Sequence, residues 1–120
     1  MTPPTPLTSA DSLDAAIAES REHPVLLFKH SRYCGVSCEA LDELQSHMEG
    51  ASDGVAYKMI TVQTHRPVSD AVTERLGLRH ETPQAILLRD GQMVWNASHF
   101  RITATQLRQA ISAAPKPQGP

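Results

Sequence analysis

Residues 25–38 read Val-Leu-Leu-Phe-Lys-His-Ser-Arg-Tyr-Cys-Gly-Val-Ser-Cys, and this stretch decides how the chain folds. The run Val25–Lys29 is short and almost continuously apolar, which is typical of a strand buried on both faces. From about Cys34 to Met48 apolar residues recur at helical spacing, and Gly50 supplies a C-terminal cap; the stripe consists of Ala40, Leu41, Leu44 and Met48. The stretch therefore predicts a strand, a short polar loop and a helix that begins at a cysteine.

Helix and strand signals alternate on both sides of this unit. Upstream, Thr8 or Ser9 caps a helix that is predicted to run to about Glu22, where Pro24 ends it. Downstream, Asp90-Gly91 is a strong two-residue hairpin signal. The remaining predicted elements are a strand at Val55–Val62, a helix from Pro67 to Gly77, strands at Gln84–Arg89 and Gln92–Ala97, and a helix from a Thr103–Gln106 capping box to about Ala113.

The element order α-β-α-β-α-β-β-α defines the fold class. Strands separated by single helices are expected to be parallel, and the closing hairpin is expected to add one antiparallel edge. This predicts an α/β protein with a mixed four-stranded sheet flanked by helices, and the order matches the thioredoxin-like fold with an extra N-terminal helix. One domain is expected at residues 8–113, between an irregular, proline-containing arm at 1–7 and a disordered, proline-containing tail at 114–120.

The composition is that of one ordinary globular domain, and it argues against several classes of function. The chain has 120 residues, of which 40% are hydrophobic and 20% charged, with a formal net charge of −2. This balance offers no basic surface for nucleic acid or for an anionic membrane. No apolar run approaches the roughly 20 residues of a membrane span. Residues 1–8 lack the pattern of a secretory signal, so a cytoplasmic location is expected.

Cys34 is the candidate nucleophile, because the first turn of a helix stabilises a thiolate. Helix N-termini carry unpaired N–H groups and the positive end of the helix dipole, and a thiolate is the species that attacks disulfides. Lys29, His30 and Arg32 lie just upstream and add positive potential. A buried, inert cysteine is the other interpretation, but the polar loop around Cys34 does not resemble a core. Thiol–disulfide exchange is therefore the predicted chemistry.

The second cysteine leaves two interpretations open. In a dithiol thioredoxin the resolving cysteine stands three residues after the nucleophile, where this chain has Ser37, which cannot resolve a mixed disulfide. Cys38 shares a helix face with Cys34 at about 6 Å between Cα atoms, near the long limit for a disulfide, so a strained bond that resolves the adduct is one option. The other, favoured by regular helix geometry, is that Cys38 packs half-buried on the inner face of the helix.

Thr82-Pro83 precedes the strand Gln84–Arg89 and is the second predicted part of the site. Thioredoxin-like folds place a cis-proline there, opposite the active cysteine, so a cis bond is expected. The backbone of Thr82 would then pair with an extended substrate like an added strand. His80 is expected to adjust the reactivity of Cys34 or to hold a carboxylate of a small thiol, unless it is only a structural histidine.

Two cysteines and one histidine are too few ligands for zinc, so no metal site is predicted.

Four separated motifs carry a family resemblance: Phe28-Lys29-His30-Ser31-x-x-Cys34-x-x-Ser37, Arg66-Pro67-Val68-Ser69, Arg79-His80-Glu81-Thr82-Pro83-Gln84 and Asp90-Gly91-x-x-x-Trp95-x-x-Ser98-His99. From about Thr8 to Ala113 the chain resembles the monothiol bacilliredoxins, a family of small thioredoxin-like proteins. The resemblance implies removal of bacillithiol from mixed disulfides on other proteins. It also implies roles for three residues: Cys34 is the nucleophile, Ser37 the non-resolving position and Pro83 the cis-proline. The residues expected to bind the substrate are Thr82, Pro83, His80 and Lys29.

Two departures from the family pattern leave the small thiol open. The family commonly has Pro where this chain has Gly35, and it usually lacks a cysteine at position 38. The expected co-substrate is bacillithiol or glutathione, with no tightly bound cofactor, and the expected partners are S-thiolated client proteins. The alternatives are a dithiol enzyme that uses Cys34 and Cys38, a glutaredoxin-like iron–sulfur or metal-binding module, and a non-catalytic scaffold that binds a partner at the Pro83 loop.

Overall fold

The computed structural model describes residues 3–50 and 54–114, so the predicted tail lies outside the described residues from position 115 onward. None of the helices within these ranges is long and apolar enough to cross a membrane. A short 3-10 turn at His99–Arg101 joins the last strand to the last helix. The other elements are β1 (Thr5–Pro6), α1 (Ala10–Glu19), β2 (Val25–His30), α2 (Gly35–Glu49), β3 (Ala56–Thr61), α3 (Arg66–Leu76), β4 (Gln84–Arg89), β5 (Gln92–Ser98) and α4 (Ala104–Ala113).

Local signals set most element boundaries. Gly77 ends α3 in the left-handed conformation at φ 63°, and Asp90-Gly91 turns the β4–β5 hairpin with φ of 56° and 77°. α1 ends at Glu19 rather than near Glu22, because Ser20 caps it there. The Ser20 hydroxyl donates to the Ile17 carbonyl at 2.6 Å, and the Ser20 carbonyl accepts from the buried Arg89 guanidinium at 2.6 Å.

In the part of the chain that the structure describes, the sheet has five strands in the order β1-β3-β2-β4-β5, one more than predicted. The extra strand, β1, lies in the segment expected to be irregular and pairs in parallel with β3. It forms because the outer edge of β3 offers free backbone groups: the Leu7 N–H donates to the Met59 carbonyl at 2.8 Å, and the Leu7 side chain is buried. Pro6 is tolerated there because an edge strand can spare one N–H group.

The direction of β4 corrects a second expectation. β2 and β3 are parallel, as a helical crossover through α2 predicts, but β4 is antiparallel to β2, with Gln84 opposite Lys29. β3 ends and β4 begins at the same end of the sheet, so the connection through α3 passes over β2 and comes back to the end of the sheet that it left. It is therefore not the parallel crossover that was expected. Residues 77–83 complete this return.

Successive side chains of β2 point to opposite faces of the sheet, so they contribute to two separate layers of the core. The same alternation sets the directions of the last two residues of the strand. Val25 and Leu27 pack on the side of α1 and α3, whereas Leu26 and Phe28 pack on the side of α2 and α4. Every residue of β2 is buried, which confirms the predicted central strand. By the same alternation the next residue, Lys29, faces the α3 side, and His30 faces the α2 side.

Candidate functional site

The loops that carry the predicted site meet at one end of the sheet. β2 ends there and leads to Cys34, while β4 begins there after Thr82-Pro83, a peptide bond that is cis as expected. β5 also ends there, and the N–H of His99, its next residue, donates to the Pro83 carbonyl at 3.0 Å. Strand pairing therefore brings together segments that lie far apart in the sequence.

Cys34 is the N-cap of α2, so the helix begins at Gly35, one residue later than predicted. Its backbone is extended (φ −109°, ψ 118°), and its carbonyl accepts the Cys38 N–H at 3.0 Å. The side chain makes no capping hydrogen bond, and the first turn of α2 contains no acidic residue. The thiol is free and half-buried. The sulfur is thus held beside the positive end of the helix dipole with no carboxylate in that turn to oppose it.

Ser37, which was predicted to occupy the non-resolving position, is fully buried beneath this loop. Its hydroxyl oxygen accepts the Ser31 N–H at 2.9 Å and lies 2.9 Å from Nδ1 of His30. The His30 ring in turn stacks on Phe28, with 6.0 Å between the ring centroids. Ser37 therefore ties the loop before Cys34 to the end of β2, a structural task that sequence reasoning did not assign to it.

Replacing Ser37 with alanine is expected to lower the free energy of unfolding by about 1–3 kcal/mol, because the Ser31 N–H and the His30 ring lose a buried partner. Urea denaturation followed by circular dichroism measures this change. Ser46→Ala, on an exposed position of the same helix, is the matched control and should change stability by less than about 0.5 kcal/mol. Equal effects of the two substitutions would show that the Ser37 hydrogen bonds do not hold the loop.

Cys38 is exposed, which corrects the favoured expectation of a half-buried packing residue. The inner face of α2 is formed by Ser37, Ala40 and Leu44, and Cys38 lies one residue beyond Ser37, turned toward solvent. Its sulfur lies 4.0 Å from the Arg32 carbonyl oxygen, at the limit of a weak hydrogen bond.

Both thiols are free, and within the described ranges no group of three or more His, Cys, Asp or Glu residues is arranged to hold a metal ion.

Lys29 is fully buried, so the predicted direct contact with substrate is not available to it in this structure. It follows Leu27 on the α3 side of β2, where its Nζ lies 3.2 Å from Nδ1 of His80. Burial lowers the Lys29 pKa to about 8, partly offset by the nearby Asp70 carboxylate. Ser69 also approaches the imidazole, at 3.4 Å from Nδ1. Ser69 is a serine on the otherwise apolar face of α3, and this feature of the sequence could have indicated its contact with His80.

His80 covers Lys29 at the surface and reaches the loop that contains the cis-proline. The side chain is exposed, and its Nε2 lies 3.3 Å from Oγ1 of Thr82. Partial burial, followed by repulsion from Lys29 and Arg66, lowers the pKa of His80 below its usual value. Three of the predicted substrate-binding residues therefore form one hydrogen-bonded cluster, with the buried amine at its base and Thr82 at its rim.

The free energy of unfolding is expected to fall as pH decreases from 6.5 toward 5. Burial, with a smaller contribution from Arg32, lowers the pKa of His30 below 6.5. The unfolded chain therefore binds a proton at this residue more readily than the folded chain, and acid favours unfolding. Glu19 and Glu81, whose carboxyl pKa values are lowered below 4.5, add to this loss only at more acidic pH. Urea denaturation at pH 7.5, 6.5 and 5.5 measures the effect, and constant stability over that range would contradict it.

Comparison with known proteins identifies the family. The model of the monothiol bacilliredoxin BrxC family matches residues 5–107. The chain belongs to this family. A member of this family is expected to share the fold of other thioredoxin-like proteins. One solved structure, described as a candidate oxidoreductase with a thioredoxin fold, is 31% identical to this chain. The two structures superpose with a TM-score of 0.79 over 88% of this chain and 91% of that chain.

More distant thioredoxins share the fold of this bacilliredoxin family member. Fasciola hepatica thioredoxin is 17% identical, with a TM-score of 0.73, over 90% of this chain and 96% of that chain. Mitochondrial thioredoxin 3 of Saccharomyces cerevisiae is 16% identical, with a TM-score of 0.72, over 92% and 95% of the two chains. At these identities the similarity supports the fold alone, whereas the family match supports a thiol-dependent redox enzyme.

Proposed function

We propose that this protein is a monothiol disulfide oxidoreductase that removes bacillithiol from mixed disulfides on client proteins in the cytoplasm. The observation that carries the proposal is the pair of positions at the start of α2. Cys34 presents a free thiol at the helix N-terminus, and the position of a resolving cysteine is filled by Ser37, buried and hydrogen-bonded. Membership of the monothiol bacilliredoxin family supports the choice of bacillithiol.

The proposed reaction needs two thiol–disulfide exchanges. The Cys34 thiolate attacks the bacillithiol sulfur of the mixed disulfide, a Cys34–bacillithiol disulfide forms, and the client leaves as a thiolate that takes a proton from solvent. A second bacillithiol, as its thiolate, then attacks the bacillithiol sulfur of this adduct, which releases oxidised bacillithiol and restores Cys34. The net reaction converts one mixed disulfide and one free thiol into a client thiol and a small-molecule disulfide, and no bound cofactor takes part.

Exposed aromatic side chains beside Cys34 favour a protein as the client. Tyr33, which precedes the cysteine, is 88% exposed, and Phe100, in the turn after β5, is 70% exposed. A cavity of about 340 Å³ lies between Val36 of α2 and this turn. Large exposed apolar side chains at the rim of a reactive site are typical of surfaces that bind other proteins. The backbone at Thr82 provides the edge along which an extended client segment would pair.

Cys38 provides a second route for release of the small thiol. It is exposed and stands one turn after Cys34 on the same helix. The Cys38 thiolate would attack the Cys34 sulfur of the adduct, form a Cys34–Cys38 disulfide and expel bacillithiol. Because regular helix geometry places the two Cα atoms near the long limit for a disulfide, we favour the monothiol route.

A turnover assay with defined clients tests this proposal. A small protein with one cysteine is loaded as its mixed disulfide with bacillithiol, and separately with glutathione, and release of the client thiol is followed in the presence of the matching free thiol. Faster release from the bacillithiol client is expected. Faster release from the glutathione client would overturn the choice of thiol, and release from neither would overturn the proposed activity. Cys38→Ser should retain turnover; if it blocks turnover after the first exchange, the dithiol route is correct.

A further inference from the structure

The disulfide chemistry gives no role to the buried amine of Lys29. A charged amine that is fully removed from solvent is costly unless hydrogen bonds compensate for its lost hydration. Lys29 has no exposed surface, and its Nζ lies within hydrogen-bond distance of Nδ1 of His80, at 3.2 Å. A lysine at this position is therefore better explained by what it does to His80 than by the stability of the core.

The Lys29–His80 contact determines which ring nitrogen of His80 carries the proton. An ammonium group only donates hydrogen bonds, so Nδ1 of His80 must accept, and the neutral ring then carries its hydrogen on Nε2. Nε2 lies 3.3 Å from Oγ1 of Thr82, a distance at which its N–H approaches the hydroxyl oxygen. The contacts thus form a chain from the buried amine through the imidazole to the residue that precedes Pro83.

We propose that Lys29 is a positioning residue that acts through His80 to hold Thr82 in the conformation that binds the client. This inference rests on the proposed function, because it assigns to Thr82 the contact with an extended client segment. The other charges that act on the imidazole are Arg66 and Asp70 of α3 and Glu81 of the same loop. Loss of the Lys29 amine should therefore weaken client binding and leave the attack by Cys34 unchanged.

Nuclear magnetic resonance of the His80 ring tests the first step without any substrate. The ¹⁵N shifts of the wild-type ring should show a protonated Nε2 and an accepting Nδ1 at pH 7.5. Lys29→Met keeps the buried apolar stem and removes the donor, so a mixture of both tautomers is expected. The pKa of His80 should also rise, because a repelling charge is lost. Lys58→Met, which removes a lysine that pairs with Glu19, is the control and should leave the ring unchanged. Identical His80 spectra in wild type and Lys29→Met would overturn the inference.

Steady-state kinetics tests the second step by a double-mutant cycle. Lys29→Met should raise KM for the mixed-disulfide client by about fivefold, as expected for one lost hydrogen bond, with kcat changed less than about twofold. Lys29→Gln, which restores an N–H donor, should recover part of the loss. In a His80→Phe background the Lys29→Met substitution should have no further effect on KM, and additive effects of the two substitutions would overturn the inference. If wild type releases no client, the proposed function fails, and the His80 spectra still decide whether Lys29 sets the tautomer.

Discussion

Replacing Cys34 with serine is expected to reduce client release by about 10³-fold or more, to the rate of the uncatalysed exchange. The reason is that a serine hydroxyl stays protonated at neutral pH and forms no disulfide, so the first exchange has no nucleophile. Cys34 is the thiol at the positive end of α2, at the end of the sheet where β4 begins after Pro83. The measurement is the initial rate of client thiol release with bacillithiol present.

Cys38→Ser is the matched control for this experiment, since it removes the other thiol of the chain by the same change of one atom. It should retain client release within a factor of about three, because Cys38 takes no part in the monothiol route. Circular dichroism should show that both variants keep the fold. If Cys34→Ser still releases the client at the wild-type rate, Cys34 is not the nucleophile.

Replacing Phe28 with alanine is expected to lower the free energy of unfolding by about 3–5 kcal/mol, the usual cost of removing a buried aromatic ring from a packed core. Phe28 has no exposed surface and packs in the layer beneath α2 and α4. Its ring also stacks on His30, which contacts Ser37. The loss should therefore extend to the loop before Cys34, and thermal or urea denaturation measures it.

Phe100→Ala provides the comparison, because it is the same substitution at a side chain that is 70% exposed. It should change stability by less than about 0.5 kcal/mol, and it should weaken client binding if the Phe100 ring contacts the client. Equal losses of stability in the two variants would contradict the assignment of Phe28 to the core.

Features set by neighbouring residues were predictable from the sequence. The apolar run at Val25–Lys29, the left-handed cap at Gly77 and the Asp90-Gly91 turn each follow from a local preference, and the structure confirms all three. The position of Cys34 at a helix N-terminus follows from the same kind of signal. These signals are reliable because they depend on a few adjacent residues and one hydrogen-bonding pattern.

Features set by distant partners were not predictable in the same way. β1 depends on an open edge of β3, and the antiparallel direction of β4 depends on the path of residues 77–83. The burial of Lys29 depends on α3 and on His80, which covers it from 51 residues away in the sequence. The exposed position of Cys38 depends on which face of α2 packs against the sheet. The apolar stripe did not show whether Ser37 or the next residue, Cys38, belongs to that face.

The most direct test of Cys34 as the nucleophile is to locate the covalent adduct. The reduced protein is treated briefly with oxidised bacillithiol, digested, and analysed by tandem mass spectrometry, with Cys38→Ser and Cys34→Ser treated in parallel. The monothiol mechanism predicts one bacillithiol adduct, on Cys34, in the wild type and in Cys38→Ser, and none in Cys34→Ser. An adduct on Cys38 with Cys34 left unmodified would contradict it.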